Sequence, residues 1–291
     1  METQYKTLEI GNLRPFAKGG TGECFCLDEE TILKLYYEDF PLEYIRREKD
    51  GARTALVAGV PTAISFDQVR VGNRYGVVYE RVQGKTLSEL TAREPFRARE
   101  LGGNLARIAR ILHSAEVRRG GLPKATEHIR TVLPRVDYAP ESAVRRIAAF
   151  LDDLDREKGY VHGDFHPNNV IITADGPMLI DMGDFALGSP LFDLATLRFS
   201  LFASPEAQMG GRNTFNGLTR EEATAFWLGF EQTYFGGGMD RRTAKRLEKV
   251  LLLKKLRFER LFGMYFSEEY CEKIREEVRE TFGGTAGVRP A

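Results

Sequence analysis

The spacing of apolar and polar positions divides this chain into a strand-rich first part and a helix-rich remainder. Cys24-Phe25-Cys26-Leu27 and Thr31-Ile32-Leu33-Lys34-Leu35-Tyr36-Tyr37 are β-branched and aromatic runs joined by the polar turn Asp28-Glu29-Glu30, which predicts two strands. After Phe40-Pro41 the period lengthens to that of a helix, with Leu42, Ile45, Ala52, Ala55 and Leu56 on it, and Gly59 closes the segment. Two further alternating stretches, 62–71 and 74–82, flank Gly72-Asn73, a hairpin-turn dipeptide. From Gly84 onward the pattern predicts helices over 86–91, 98–114, 126–135, 141–158, 193–202, 220–234, 240–266 and 268–282. One hairpin interrupts them. Val170-Ile171-Ile172-Thr173 reads as a strand, Ala174-Asp175-Gly176-Pro177 as a turn, and Met178-Leu179-Ile180 as an apolar run ending at Asp181. There are no repeats, and the glycine-rich tail over 283–287 reads as a frayed end.

Composition narrows the class without choosing a function. A chain of 291 residues buries a large core, as one domain of two lobes or as two small domains. The 42 basic and 42 acidic side chains cancel, so no global charge draws the protein to nucleic acid or to an anionic membrane. Cys24, Cys26 and Cys271 are too few and too scattered for a disulfide framework or a cysteine-rich zinc site, which points to a reducing cytoplasm. The first residues lack the apolar core of a signal peptide, and no apolar run is long enough to span a bilayer. A soluble cytoplasmic protein is expected.

The candidate chemistry lies in His162-Gly163-Asp164-Phe165-His166-Pro167-Asn168-Asn169. Asp164 offers a carboxylate that can receive or orient a proton, and Asn169 sets an amide oxygen five residues on. Asp181, twelve residues further, ends the apolar run, so the predicted hairpin brings Asn169 and Asp181 side by side. Two such oxygens suit a hard cation such as Mg²⁺, which takes one or two protein carboxylates together with phosphates and water. In the strand-rich part, Lys18-Gly19-Gly20-Thr21-Gly22-Glu23 lets the backbone approach phosphate oxygens closely, and equally fits an ordinary hairpin turn. Lys34 is the one ionisable residue of the strand 31–36, and its neighbours Leu33 and Leu35 point to the opposite face. Glu48 on the next helix is its expected partner, with Glu43 a substitute. Packing accounts for Cys24 and Cys26, loop organisation for His162, and loop shape or substrate contact for His166. Asp184 fits a structural role and one close to the metal equally well.

In order and spacing these pieces resemble the protein-kinase-like phosphotransferases, in particular the branch of aminoglycoside phosphotransferases and choline kinases. The resemblance is carried by residues 162–169, Ile180-Asp181 and Gly188-Ser189-Pro190-Leu191-Phe192-Asp193-Leu194-Ala195, with support from Thr31-Ile32-Leu33-Lys34, Arg47-Glu48-Lys49-Asp50 and Glu80-Arg81-Val82-Gln83-Gly84-Lys85-Thr86-Leu87. It covers roughly residues 13 to 200, and Phe25 stands where a third glycine of the phosphate loop would be. It implies an α+β, two-lobed fold: a small antiparallel sheet with one helix over 1–83 and a mainly helical lobe over 84–291. It further implies transfer of the γ-phosphoryl group of ATP or GTP to a hydroxyl of a small molecule. Asp164 would then be the catalytic base, and Asn169 and Asp181 would hold Mg²⁺. Lys34 would meet the α- and β-phosphates and Glu48 would hold Lys34. Gly20 and Gly22 would line the phosphates, the backbone of Glu80 and Val82 would hydrogen-bond the purine, and Asp193 would tie the catalytic loop to the helical lobe.

Four other readings compete. The same fold serves protein kinases and nucleotidyl transferases, but the stretch between Asp181 and Asp193 is short for a peptide platform. A nucleotide-sensing pseudoenzyme would not need all of Lys34, Glu48, Asp164, Asn169 and Asp181. A hydrolase would use His162, Asp164 and His166 as a metal cluster. Basic residues such as Arg241, Lys254 and Arg257 at least balance the acids of 200–282, where the acceptor should bind, which weighs against a polycationic aminoglycoside.

Overall fold

In the computed structural model, residues 5–117, 121–209 and 211–283 are described; the amino-terminal 1–4 and the tail from 284 lie outside them. The alternating segments form a six-stranded sheet from β1 (Lys6–Thr7), β2 (Ala17–Lys18), β3 (Gly22–Cys26), β4 (Thr31–Tyr36), β5 (Ser65–Val71) and β6 (Arg74–Glu80), with α1 (Leu42–Val57) between β4 and β5. The strand order is β1-β5-β6-β4-β3-β2. Every neighbouring pair is antiparallel except β1 with β5, which is parallel. The two-residue β1 was not legible because so short a polar segment has no periodicity. On one face Leu33 and Leu35 pack with Phe25 and Val69. On the other, Tyr36, Val77 and Tyr79 join Ile45, Ala52 and Ala55 of α1 in the main core. Alternation along β4 therefore sends Lys34 toward α1.

The second lobe begins with β7 (Lys85–Thr86) and α2 (Leu87–Arg93), where Thr86 and Glu89 cap each other reciprocally. It continues through α3 (Ala98–Ser114), α4 (Glu127–Arg130), α5 (Glu141–Leu154), β8 (Tyr160–Val161), β9 (Val170–Thr173), β10 (Gly176–Leu179), β11 (Ala186–Leu187), α6 (Leu191–Arg198), α7 (Pro205–Gln208), α8 (Arg220–Phe235), α9 (Arg241–Phe262) and α10 (Glu268–Gly283). β9 pairs on one side with β10 and on the other with β7, so the segment leaving the large sheet docks directly on the β9–β10 hairpin. β10 starts inside the expected turn; Pro177 is tolerated there because β10 is an edge strand. The helix expected over 126–135 is broken into α4 and a 3₁₀ turn, Leu133–Arg135, with Pro134 at the break. α3 and α8 cross at van der Waals distance because each offers a glycine: a Cβ on Gly102 would lie 1.9 Å from the Phe226 carbonyl oxygen, and one on Gly229 1.8 Å from that of Arg99. The described residues contain no helix long and apolar enough to cross a membrane.

Candidate active site

The catalytic-loop candidate is held from below by one buried carboxylate. Asp193, fully buried at the start of α6, accepts hydrogen bonds from the His162 amide (2.8 Å) and the Gly163 amide (2.8 Å), and its Oδ2 lies 3.0 Å from His113 Nε2. Gly163 has φ +83°, and a Cβ there would sit 2.3 Å from the Asp184 carbonyl oxygen, so only glycine lets the two segments meet. The buried His162 ring lies 3.0 Å from the Ile180 carbonyl oxygen, and the Ile180 amide donates to the Asn169 carbonyl (3.0 Å). These bonds bring Asn169 beside Asp181, as the hairpin pattern requires. His162 spends its Nε2 on the backbone, which fits loop organisation.

Asp164 turns its carboxylate outward, with 45% of the side chain exposed, and His166 Nε2 lies 3.1 Å from Oδ2. Burial alone would raise this carboxyl. The His166 and His162 rings and the Lys254 ammonium outweigh burial and hold it well below the usual carboxylate range. The Asn169 amide nitrogen donates to the Asp164 carbonyl oxygen (2.9 Å), leaving its Oδ1 with no hydrogen-bond donor among the described residues.

Lys34 crosses from the sheet to the second lobe. Its Nζ lies 2.8 and 2.9 Å from the two Glu48 carboxylate oxygens and 2.9 Å from Asp181 Oδ1. Glu48, not Glu43, is the partner, because Glu43 pairs with Arg47 one turn along α1. Burial would lower the Lys34 ammonium, yet the Glu48 and Asp181 carboxylates hold it above the ordinary lysine value. Burial has the larger hand on Glu48 and raises its carboxyl against the pull of Lys34. Tyr79 also donates to Glu48 Oε1 at 3.1 Å. Asp181 sits at φ +61°, a conformation that costs energy outside glycine but is tolerated by Asp. Its Oδ2 has no partner among the described residues.

The glycine cluster and the segment after β6 are less uniform than the sequence implied. A Cβ on Gly22 would lie 2.4 Å from the Leu35 carbonyl oxygen, so this glycine is needed for strand packing, whereas Gly20 faces open space. After β6, the Glu80 amide donates to the Ile64 carbonyl and the Arg81 amide to that of Glu30. The Val82 and Gln83 backbones each keep both amide and carbonyl without a partner among the described residues.

Several neighbours of the site were not read from the sequence. Tyr79 looked like another aromatic strand residue, and His113 like a helix-end polar residue. His128 of α4 lies 3.6 Å from Asp184. Lys254 donates to Thr196 Oγ1 at 2.7 Å. Lys254, read from the sequence only as a basic residue of the acceptor region, falls on the stripe of buried Leu247, Val250 and Leu251, where a lysine interrupts the apolar face of a helix. Among the described residues no three His, Cys, Asp or Glu side chains are placed to hold a metal, and His162 and His166 are turned to Ile180 and Asp164 instead.

A β-rich lobe with one helix and a buried lysine–glutamate pair, facing a helical lobe with a carboxylate loop and an acid-tipped hairpin, defines a protein-kinase-like phosphotransferase. A sequence model of the phosphotransferase enzyme family matches residues 13–227, and the chain belongs to that family. No curated protein matches it. The fold is shared with amicoumacin kinase hAmiN, solved with AMP-PNP, Ca²⁺ and Ami: TM-score 0.60 at 16% identity, over 95% of this chain and 90% of that one. An aminoglycoside phosphotransferase, APH(4)-Ia, solved with ADP and hygromycin B, gives TM-score 0.62 at 14% identity, over 94% and 95%. A choline/ethanolamine kinase family protein from Mesorhizobium loti gives 0.61 at 15%, over 95% and 90%. Identities this low establish the architecture.

Proposed function

We propose that this protein transfers the γ-phosphoryl group of ATP or GTP to a hydroxyl of a small molecule, within the cell. The observation that carries the reading is the convergence on Lys34 of Glu48 and Asp181, from two lobes, within one core with the Asp164 loop. Lys34 contacts the α- and β-phosphates while Glu48 fixes its direction. The backbone of Glu80 and Val82 hydrogen-bonds the purine, Val82 having no other partner, and the Gly20 backbone, open to approach, lies against the phosphates. Asn169 Oδ1 and the Asp181 carboxylate are free hard oxygens, a donor set that fits Mg²⁺. When bound, that ion neutralises charge on the phosphate oxygens.

Asp164 orients the acceptor hydroxyl and takes its proton as the O–P bond forms and the bond to the leaving nucleoside diphosphate breaks. Because the Asp164 carboxyl is held below the usual range, it contributes alignment more than basicity. The short chain from Asp181 to α6 favours a small acceptor over a peptide. The lobes divide between residues 83 and 84, after β6 has ended and before β7 joins β9. The test is a screen of ATP and GTP against a metabolite extract, reading new phosphorylated masses in wild type and in Asp164→Ala. Products confined to the wild type support the reading. Persistence in the variant removes Asp164 from its role, and nucleotide-adduct masses would assign nucleotidyl transfer instead.

A further inference from the structure

Beside the Asp164 loop, α9 carries two cations that no carboxylate neutralises by direct contact. Lys254 is half-buried; its Nζ donates to Thr196 Oγ1 (2.7 Å) and lies 5.8 Å from the centre of the Phe258 ring. Thr196 Oγ1 in turn lies 3.4 Å from the carbonyl oxygen of Gly163, the residue before Asp164. Arg257, three residues on along α9, is also half-buried and has no hydrogen bond or ion pair among the described residues. Its guanidinium keeps an accessible edge, and its planar fork matches carboxylate or phosphate.

The acids nearby are already committed. Asp193 is consumed by the His162 and Gly163 amides and His113. Asp184 faces His128. Burial, with Arg257 and Lys254 acting in the same sense against Asp184, holds His128 below the ordinary histidine value, so this ring adds no charge at neutral pH. Asp164 is reserved for the acceptor hydroxyl. Although these carboxylates act on Lys254 through space, none of them contacts Lys254 or Arg257 directly, which leaves both cations able to take a further anion.

We propose that the acceptor is itself anionic, with a carboxylate or phosphate held by Arg257 and Lys254 while Asp164 faces its hydroxyl. The assignment rests on the kinase reading given above. Residues three apart on a helix are separated by about 4.5 Å along its axis, so Lys254 and Arg257 can hold one anionic group between them. A polycationic acceptor would set ammonium groups against Lys254 and Arg257.

The experiment compares glycerate, glycerol 3-phosphate, glucose, choline and kanamycin as acceptors with MgATP, together with any acceptor isolated from the metabolite extract. Wild type, Arg257→Gln, Arg257→Lys and Lys254→Met are assayed, the exposed edge of Arg257 keeping the test usable if Lys254→Met fails to fold. An anionic acceptor is expected to dominate, and glycerate against glycerol 3-phosphate separates carboxylate from phosphate. Arg257→Gln should raise the acceptor KM about 10- to 100-fold with the ATP KM unchanged, and Arg257→Lys should recover part of that. Preferred transfer to a neutral or cationic acceptor, or an unchanged acceptor KM in Arg257→Gln, overturns the assignment while leaving the kinase reading intact. Absence of Asp164-dependent transfer to any acceptor overturns both.

Discussion

Lys34 shows how much a single residue can organise. It is the cation between a buried carboxylate, Glu48, and a half-exposed one, Asp181, at 2.8 and 2.9 Å. Removing it leaves Glu48 in the core with the Tyr79 hydroxyl as its remaining side-chain donor among the described residues. Lys34→Met is therefore expected to lower the unfolding free energy by about 3–5 kcal/mol, the cost of orphaning a buried charge. Replacing both partners, Lys34→Met with Glu48→Leu, should recover at least half of that loss in urea melts. Additive losses in the double variant would show that the pair is not coupled. At this scale the sequence was informative where chemistry was conspicuous: a lone lysine in an apolar strand, and an acid–amide pair five residues apart in the loop. It was silent on Tyr79, since a strand tyrosine looks the same whether or not it faces the site, and it gave Arg257 only as one of several basic residues of the acceptor region.

Elements place these residues, and their ties are local. Asp155 at the end of α5 accepts from Thr126 Oγ1 (2.7 Å), Arg130 (3.1 Å) and Lys124 (3.3 Å), fastening α4, and with it His128, to the helical lobe. Burial would raise the Asp155 carboxyl, but these donors lower it below its ordinary value. A carboxyl depressed by folding stabilises the native state above its unfolded pKa of about 3.9 and loses that contribution as pH falls through the folded value. Asp155→Asn should thus cost about 1–2 kcal/mol at neutral pH, and the gap to wild type should close as pH drops below about 4. Denaturant melts at several pH values measure it; a gap independent of pH would contradict the role of the charge. Long periodic elements such as α3, α8 and α9 were legible from their apolar spacing. The two-residue β1, the break at Pro134 and the glycine-to-backbone crossing of α3 with α8 depend on partners distant in sequence, which periodicity does not encode.

Over the whole molecule, the two lobes meet where chemistry is needed. Lys34 reaches Asp181, and the Leu179 amide donates to the Pro61 carbonyl at 2.9 Å, so the first lobe is joined directly to the β9–β10 hairpin and the residue that follows it. The two-lobed architecture was legible because strand-like and helix-like periods segregate along the chain, while the charge around the acceptor was not, because it arises from α4, α6 and α9 together. The central claim is that Asp164 acts on the acceptor and that Lys34, Asn169 and Asp181 act on the nucleotide. The most direct measurement sets MgATP affinity, by calorimetry, beside phosphoryl transfer to the extract acceptor for Asp164→Ala. The expected result is unchanged nucleotide affinity with transfer reduced by about 10²- to 10⁴-fold. Transfer that survives, or nucleotide affinity lost together with it, would contradict this division of labour.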